Sequence, residues 1–543
     1  MKHITCLFAL APGLVSASKC SPGPLHCSPD IIDISPIVGL EVVSIETSTV
    51  FNSTVASLPN PIPNSFPQSA NFTIPSFCNV TVTTRRPGYA VRGIGIKTSV
   101  YLPLDGWNER MMGIGGSGFV AGNAQNRVLA PLVSGWATVS TSGGVSVDTL
   151  PASTETQNSD AWALRSTGNV DTEALADFGY RALGDAAAIG QDVIESFYGK
   201  PAQYRYWNGC STGGRQGLML AQRYPQAYHG ILGSCPAINW SRFLSTDIMP
   251  QIVLKGAAGS DVPPPCMLKA ITAAALKECD EIDGVKDGYV MDPSTCHFNA
   301  SSVQGQTIDC PDVPSGTAII SEGAVLAAEA AWAGYHTVDG EWRWYGVSRT
   351  TNITGDGTLV NTVCAAEGTC SLSPFGIALS WTKNFLMKDL AADPMTLTHA
   401  QFDRLWQLSV QEWSSFLNTD DPDLRPFRDA GGKFVLWHGL DDIQIHEGGT
   451  EQYYKRVLAV DPSAADYIRF FQAPGIGHCS GGFGAYPGKS FESLVNWVEH
   501  DTEPETLYGR TSGGAERNLC LYPKKIVYNG GKDTNNATSF DCV

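Results

Sequence analysis

One serine, two adjacent aspartates and a histidine in this chain have the types and the order that acyl transfer requires. Gly209-Cys210-Ser211-Thr212-Gly213 is a Gly-x-Ser-x-Gly sequence, the pattern of a nucleophile elbow. Small residues flank the serine because the turn is tight and the hydroxyl must stand clear of the backbone. A serine hydroxyl becomes a useful nucleophile only when a base takes its proton, and a carboxylate must orient that base. In elbow enzymes the order along the chain is serine, acid, histidine. The apolar run Lys433–Trp437 leads into His438-Gly439-Leu440-Asp441-Asp442, and spacing alone does not separate the two aspartates. Further on, Gly475-Ile476-Gly477-His478-Cys479 places a histidine on a glycine-rich loop. His478 is the expected base, with His438 and His446 as nearby rivals. Cys210 directly precedes the serine and Cys479 directly follows the histidine, so contact between Ser211 and His478 would bring the two sulfurs within disulfide reach.

These residues need elements to hold them, and the surrounding pattern supplies candidates. Arg110–Ile114, Trp136–Ser140, Tyr204–Trp207, His229–Gly233, Lys433–Trp437 and Tyr467–Gln472 read as strands. Between them, Leu175, Phe178, Ala182, Ala186, Ile189, Val193 and Phe197 recur at helical spacing. Helices are also expected over Gln216–Tyr224, from about Gly449 to Leu458, and near Phe491–His500. Alternation of this kind predicts the α/β class, a parallel sheet wrapped by helices. Each candidate catalytic residue then lies at a strand end, and this context lifts a five-residue motif that is weak in a chain with 56 glycines. The rhythm breaks from about Trp240 to Leu424, a stretch with Pro263-Pro264-Pro265 and six cysteines, Cys266, Cys279, Cys296, Cys310, Cys364 and Cys370. The expected organisation is a catalytic domain over 18–240 and 425–543, interrupted at 241–424 by a disulfide-braced lid. The Ser-, Thr-, Pro- and Asn-rich segment 18–77 reads as an extended arm lying on the core.

Of the 543 residues, 36 are basic and 53 acidic, a net charge of −17, which disfavours nucleic acid or an anionic membrane surface as partner. Residues 1–17 read as a cleaved secretory signal: a weakly positive start, a short apolar stretch, and small residues at its end. Its removal takes Cys6 away and leaves 14 of the 15 cysteines, an even number suited to an oxidising compartment. Seven Asn-x-Ser/Thr sequons, at Asn52, Asn71, Asn79, Asn239, Asn299, Asn352 and Asn536, add the expectation of a glycosylated secreted protein.

Over nearly the whole mature length the chain resembles the tannase and feruloyl esterase family of secreted ester hydrolases. The likeness is carried by the Cys-Ser, Asp, His-Cys arrangement, by Trp107-Asn108-Glu109-Arg110, and by the glycine cluster Gly115-Gly116-Ser117-Gly118-Phe119. Asp177-Phe178-Gly179-Tyr180-Arg181-Ala182, Gly209 to Arg215 and Gly431 to Val457 extend it. The resemblance implies an α/β-hydrolase fold and a serine carboxylesterase acting on esters of aromatic acids, feruloyl or galloyl in type, either small or attached to a polysaccharide. It implies Asp442 rather than Asp441 as the acid, and an oxyanion site formed by the Thr212 and Gly116 N–H groups. It also implies a structural calcium site with ligands Asp280, Asp283 and Asp287 and the carbonyls of Val285 and Tyr289, the loop being clamped by Cys279 and Cys296. Cys520 and Cys542 are further expected disulfide residues, and no organic cofactor is implied. The chain departs from the family at Ser142-Gly143-Gly144-Val145, at Gly184 and at Cys235. A serine peptidase with the same triad and a non-catalytic glycan-binding protein are the rival readings.

Overall fold

A computed structural model describes residues 25–54, 62–66, 72–88, 95–122, 125–145, 156–258, 262–355, 357–531 and 533–543. The expected signal 1–17, Cys20 and the sequon at Asn71 lie outside them. Nine strands form the main sheet: β1 (Glu41–Val50), β2 (Phe77–Arg85), β3 (Ile96–Pro103), β4 (Arg110–Ile114), β5 (Ala137–Thr141), β6 (Tyr204–Cys210), β7 (Gly230–Ser234), β8 (Lys433–Gly439) and β9 (Ile468–Ala473). Their spatial order is β1-β2-β3-β5-β4-β6-β7-β8-β9. The first four in this order pair antiparallel, and all pairs from β5–β4 to β8–β9 are parallel.

The parallel strands are apolar on both faces because helices cover both. Met111, Ile231, Phe434 and Leu436 point to one side, where α1 (Ala182–Tyr198), α2 (Thr212–Arg223) and α7 (Glu447–Val460) pack. Their immediate neighbours Met112, Leu232, Val435 and Trp437 point to the other side, against Phe491, Leu494 and Trp497 of α8 (Ser490–His500). The two-residue period of a strand thus divides one sequence run between two cores.

The amino-terminal segment does more than lie on the core. Residues 41–50 form β1, which extends the sheet by a full strand along β2, and Cys27 is bridged to Cys78 within β2. The arm expected over 18–77 is corrected to that extent. Its exposed burial pattern explains why: β1 carries Ser, Thr and Glu on an edge strand that buries almost nothing, so no apolar alternation marks it.

Between β7 and β8 runs the long insertion. It contains α3 (Trp240–Thr246), α4 (Pro265–Cys279), α5 (Glu322–Ala333) and α6 (His399–Leu417), with short two-stranded ribbons. Thr398 and Gln401 form a reciprocal capping box that starts α6, and Phe402, Trp406, Trp413 and Leu417 give it one buried face. Part of the insertion has its own core around Leu268, Ile271, Ala324 and Ala328, held by Cys266–Cys310 and Cys279–Cys296. The rest, with Trp240, Trp381, Phe385 and Trp406, shares a core with Phe119, Trp162 and Phe178, so residues on both sides of the 240 boundary pack as one cluster. Cys364–Cys370 and Cys520–Cys542 complete the local bridges.

Cys235, one of the departures from the family, is a free, buried thiol. One expectation is corrected here. Asn239 is only 5 % exposed at the start of α3, so it is not an open glycan acceptor. Asn52, Asn299, Asn352 and Asn536 are exposed, whereas Asn79 is half-buried within β2 with its carboxamide oxygen enclosed. Among the described residues no helix is long and apolar enough to cross a membrane.

Candidate active site

Ser211 follows the last residue of β6 and precedes α2, with φ 63° and ψ −123°, a conformation that a non-glycine residue adopts only under constraint. The neighbouring glycines make that turn possible. A Cβ on Gly209 would lie 2.3 Å from the Gly213 carbonyl oxygen, and one on Gly115 would lie 2.5 Å from the Gly213 Cα. The glycine-rich turn after β4 therefore sits directly against the elbow. Gly213 N–H donates to the Gly116 carbonyl at 3.1 Å, and Thr212 Oγ1 donates to the Gly118 carbonyl at 2.7 Å.

Asp442 follows β8 and His478 follows β9, two adjacent parallel strands, so their loops meet at one edge. His478 Nδ1 and Asp442 Oδ2 are 2.8 Å apart. The other Asp442 oxygen accepts the N–H groups of Gln444 and Ile445, both at 2.9 Å. Burial opposes the charge on Asp442, but the two histidines beside it outweigh that cost and hold its carboxyl far below the usual range. His438 is one of them. Its Nε2 lies 3.2 Å from Asp442 Oδ2 and 3.0 Å from the Ile445 carbonyl, and its Nδ1 lies 2.9 Å from Thr450 Oγ1. His438 is thus fully enclosed behind the carboxylate, while His478 is partly open to the cavity. His446, the other rival, is buried at 3.7 Å from Asp247, away from the serine's cavity lining. Asp441 turns toward the insertion, where Thr351 Oγ1 donates to it at 3.2 Å; burial raises its carboxyl to about 6.

Ser211 and His478 line one cavity of about 280 Å³, and the Cys210–Cys479 bridge, with Cα atoms 6.0 Å apart, joins the residues beside them. Phe375 and Ile377 from the insertion supply apolar wall, and Gln444 and Gln157 supply carboxamides. Asn64 also reaches this cavity from the amino-terminal segment, its Nδ2 donating to Asn208 Oδ1 at 2.6 Å. No signal in the sequence marked it, because it lies in the irregular segment before β2.

One expected role is corrected. Gly116 N–H is donated to the buried Gln216 Oε1 at 2.8 Å, so it is not available to an oxyanion. Gln216, one turn into α2, also donates from Nε2 to the Ala121 carbonyl at 2.9 Å and so pins the glycine turn to the elbow helix. Thr212 differs: it opens α2, where a first-turn N–H has no carbonyl one turn back within the helix. Arg215, fully buried, reaches the Gly179 carbonyl at 3.0 Å and the Leu417 carbonyl at 3.3 Å, tying the elbow helix to the end of α6.

The departures have local explanations. Ser142 Oγ accepts from Lys97 N–H and Gly144 N–H, and Gly143 and Gly144 have positive φ, so this stretch forms a turn. A Cβ at Gly184 would strike the Tyr224 ring at 2.3 Å. The Cys235 sulfur lies within 4.8 Å of ligand atoms of both His438 and Asp442, and burial followed by the Asp442 charge raises its thiol well above the ordinary value.

The residues expected to bind calcium lie on the loop after α4. Asp280 Oδ1 accepts the N–H groups of Asp287 and Gly288, and Asp283 accepts those of Val285 and Met291. Asp287 Oδ2 pairs with Arg517 at 2.8 Å, while its buried Oδ1 has no partner. Burial raises the carboxyls of Asp283 and Asp287, and Asp280 adds to both shifts. The enclosed Asp287 oxygen is the one feature of this loop that points to a cation, beside the buried Val285 and Tyr289; the oxygens of Asp280, Asp283 and Asp287 do not all lie within 4.8 Å of one another.

Residues 78–543 match the family described as tannase and feruloyl esterase. A probable feruloyl esterase of Arthroderma benhamiae is 35% identical over 503 residues, covering 89% of this chain and 88% of its own. The mono(2-hydroxyethyl) terephthalate hydrolase of Piscinibacter sakaiensis is 30% identical, with 87% and 85% covered. Among solved structures, the tannin acyl hydrolase of Aspergillus niger superposes with a TM-score of 0.81 over 95% of both chains at 24% identity, a likeness of fold.

Proposed function

Since the chain belongs to the tannase and feruloyl esterase family and is a carboxylic ester hydrolase, we propose that it cleaves esters of aromatic acids by a serine mechanism, with Ser211, His478 and Asp442 as the triad. The observation that carries this reading is the 2.8 Å contact of His478 with Asp442 at the wall of the cavity that also holds the constrained Ser211. Ser211 Oγ attacks the ester carbonyl as His478 Nε2 takes its proton. The imidazolium, stabilised through Nδ1–H by Asp442, then protonates the leaving alcohol. Water attacks the acyl-enzyme with His478 as base, and the acid is released. Thr212 N–H faces the developing oxyanion at the elbow. The aromatic acyl group is inferred from the names of the relatives and from the Phe375 and Ile377 wall.

The test is reaction with a fluorophosphonate, peptide mapping of the adduct, and a panel of feruloyl, galloyl and aliphatic esters beside peptide amides. Labelling at Ser211 with turnover of aromatic esters is expected. Labelling elsewhere, or faster cleavage of peptides, would sink the proposal.

The reading extends to secretion and calcium. The six disulfides among the described residues and the exposed sequons suit an oxidising, extracellular setting. Asp280, Asp283 and Asp287, with the Val285 and Tyr289 carbonyls, would hold Ca²⁺. The ion would neutralise the clustered carboxylates and fix the loop, without a part in ester cleavage.

A further inference from the structure

A second cavity, of about 260 Å³, opens between the start of α3, the ribbon strand Trp342–Trp344 and α7, and it shares no lining residue with the catalytic cavity. Its walls combine three features with unspent hydrogen-bonding or stacking capacity. The Arg242 guanidinium, half-buried, makes no hydrogen bond and no ion pair within 4.0 Å to any described residue, and its central carbon lies 6.0 Å from the Trp344 ring and 5.8 Å from the Trp406 ring. The Asn239 carboxamide, on a residue 5 % exposed, likewise makes no hydrogen bond to a described residue. Trp342 stands at the cavity with 45 % of its surface exposed, beside Trp344, which is 3 % exposed and has an unpartnered indole N–H.

The charge balance around the cavity favours an anion. Arg343 is answered by Glu341 at 2.8 Å, and Arg456 stands 3.8 Å from Asp420, whose carboxylate is the acidic group in the lining. Those pairs leave Arg242 without a counter-charge in contact, since the Asp420 charge reaches it only from beyond ion-pair distance. A half-buried guanidinium without a partner gains most from a carboxylate, which can take two of its N–H groups at once. The tryptophans offer flat apolar surface for the C–H face of a sugar ring, and the carboxamide offers both a donor and an acceptor to ring hydroxyls.

We propose that this cavity is a binding site for a carboxylated sugar, a hexuronate unit of a polysaccharide, held by Arg242 and Asn239 and stacked on Trp342. Such a site would anchor the enzyme to an acidic polymer without taking part in bond cleavage. It is independent of the triad, and its failure would leave the ester reading standing.

The experiment uses the full-length protein, with sodium glucuronate, glucose and sodium benzoate titrated separately while tryptophan fluorescence and ligand-observed NMR are recorded. Glucuronate should saturate, with glucose and benzoate at least about tenfold weaker. Arg242→Ala and Trp342→Ala should each weaken glucuronate binding by about tenfold or more, while the melting temperature and turnover of a small soluble aromatic ester stay as in the parent. Because Trp342 is exposed, its variant reads the site even where Arg242→Ala loosens the packing on Trp406. Equal binding of glucose, benzoate binding as tight as glucuronate, or unchanged glucuronate affinity in Trp342→Ala would each overturn the proposal.

Discussion

Asp441 and Asp442 are adjacent in sequence and opposite in environment. Asp442 is enclosed by His478, His438 and two backbone N–H groups, whereas Asp441 meets hydroxyls of the insertion. Asp442→Asn should lower turnover by about 10⁴-fold with little change in substrate binding, as loss of the orienting carboxylate does in the Ser-His-Asp template. Asp441→Asn should leave turnover within the same order of magnitude; steady-state kinetics on a soluble ester compares the two. Their stability effects run the other way. An unfolded Asp titrates near 4, at about 3.9, and burial raises Asp441 to about 6 in the folded protein. Between those values the native state binds more protons than the unfolded one, so this group's contribution to stability falls as pH rises from about 4 to about 6. Asp441→Asn should therefore melt higher than the parent at pH 7 and show no gain at pH 4. Nothing in residue type or spacing distinguished the two aspartates, since burial and hydrogen bonding belong to the loop as folded.

The strands and helices of the parallel part of the sheet, with their apolar runs and periods, were legible, and the amino-terminal strands were not. Every strand expected from Arg110 onward is present to within a few residues, as are helices α1, α2, α7 and α8. By contrast β1 to β3 carried no expectation: β1 is an exposed edge of Ser, Thr and Glu, and β2 and β3, though largely buried, interleave their aliphatics with Thr, Ser and Asn. The link between the glycine turn and α2 was also hidden. Gln216 read as one more polar helical residue until its carboxamide was found between Gly116 and Ala121. Gln216→Met, of similar length without the amide, should reduce turnover by more than tenfold, about 1.4 kcal/mol per decade, because the buried Gly116 N–H loses its acceptor and the elbow loses a brace. Circular dichroism should still report a folded protein; full activity would refute this role. The pair Cys210→Ala, Cys479→Ala acts on the same element. The bridge spans 269 positions and is worth about 5.6 kcal/mol in the loop-entropy account. The double variant should lose turnover more than affinity, because the backbone beside both Ser211 and His478 is released.

At the scale of the molecule, the insertion closes over the carboxyl ends of the parallel strands, where ligands of open α/β sheets bind. The loop proposed to hold calcium is given no part in the chemistry, and the expected response to metal removal separates the two. An ion bound to the folded state alone, at a hundredfold excess over its Kd, adds about 2.7 kcal/mol. A chelator should therefore lower the melting temperature while activity well below the transition stays near the parent value. A melting curve unmoved after verified removal of metal would count against Asp280, Asp283 and Asp287 as ligands. The organisation of the insertion could be outlined from its prolines and cysteines. Its sharing of a core with Phe119, Trp162 and Phe178 could not, because aromatic residues show no period that names their partners.

Five of the six bridges close short stretches, but Cys210–Cys479 joins the two ends of the chain that enclose the entire insertion. The polypeptide from β6 to the loop after β9 is therefore a covalent ring. A single proteolytic cut anywhere in the insertion opens the ring without producing two molecules. Nicked enzyme would migrate as one species until reduced, and its amino- and carboxyl-terminal parts, which carry the serine and the histidine, could not diffuse apart.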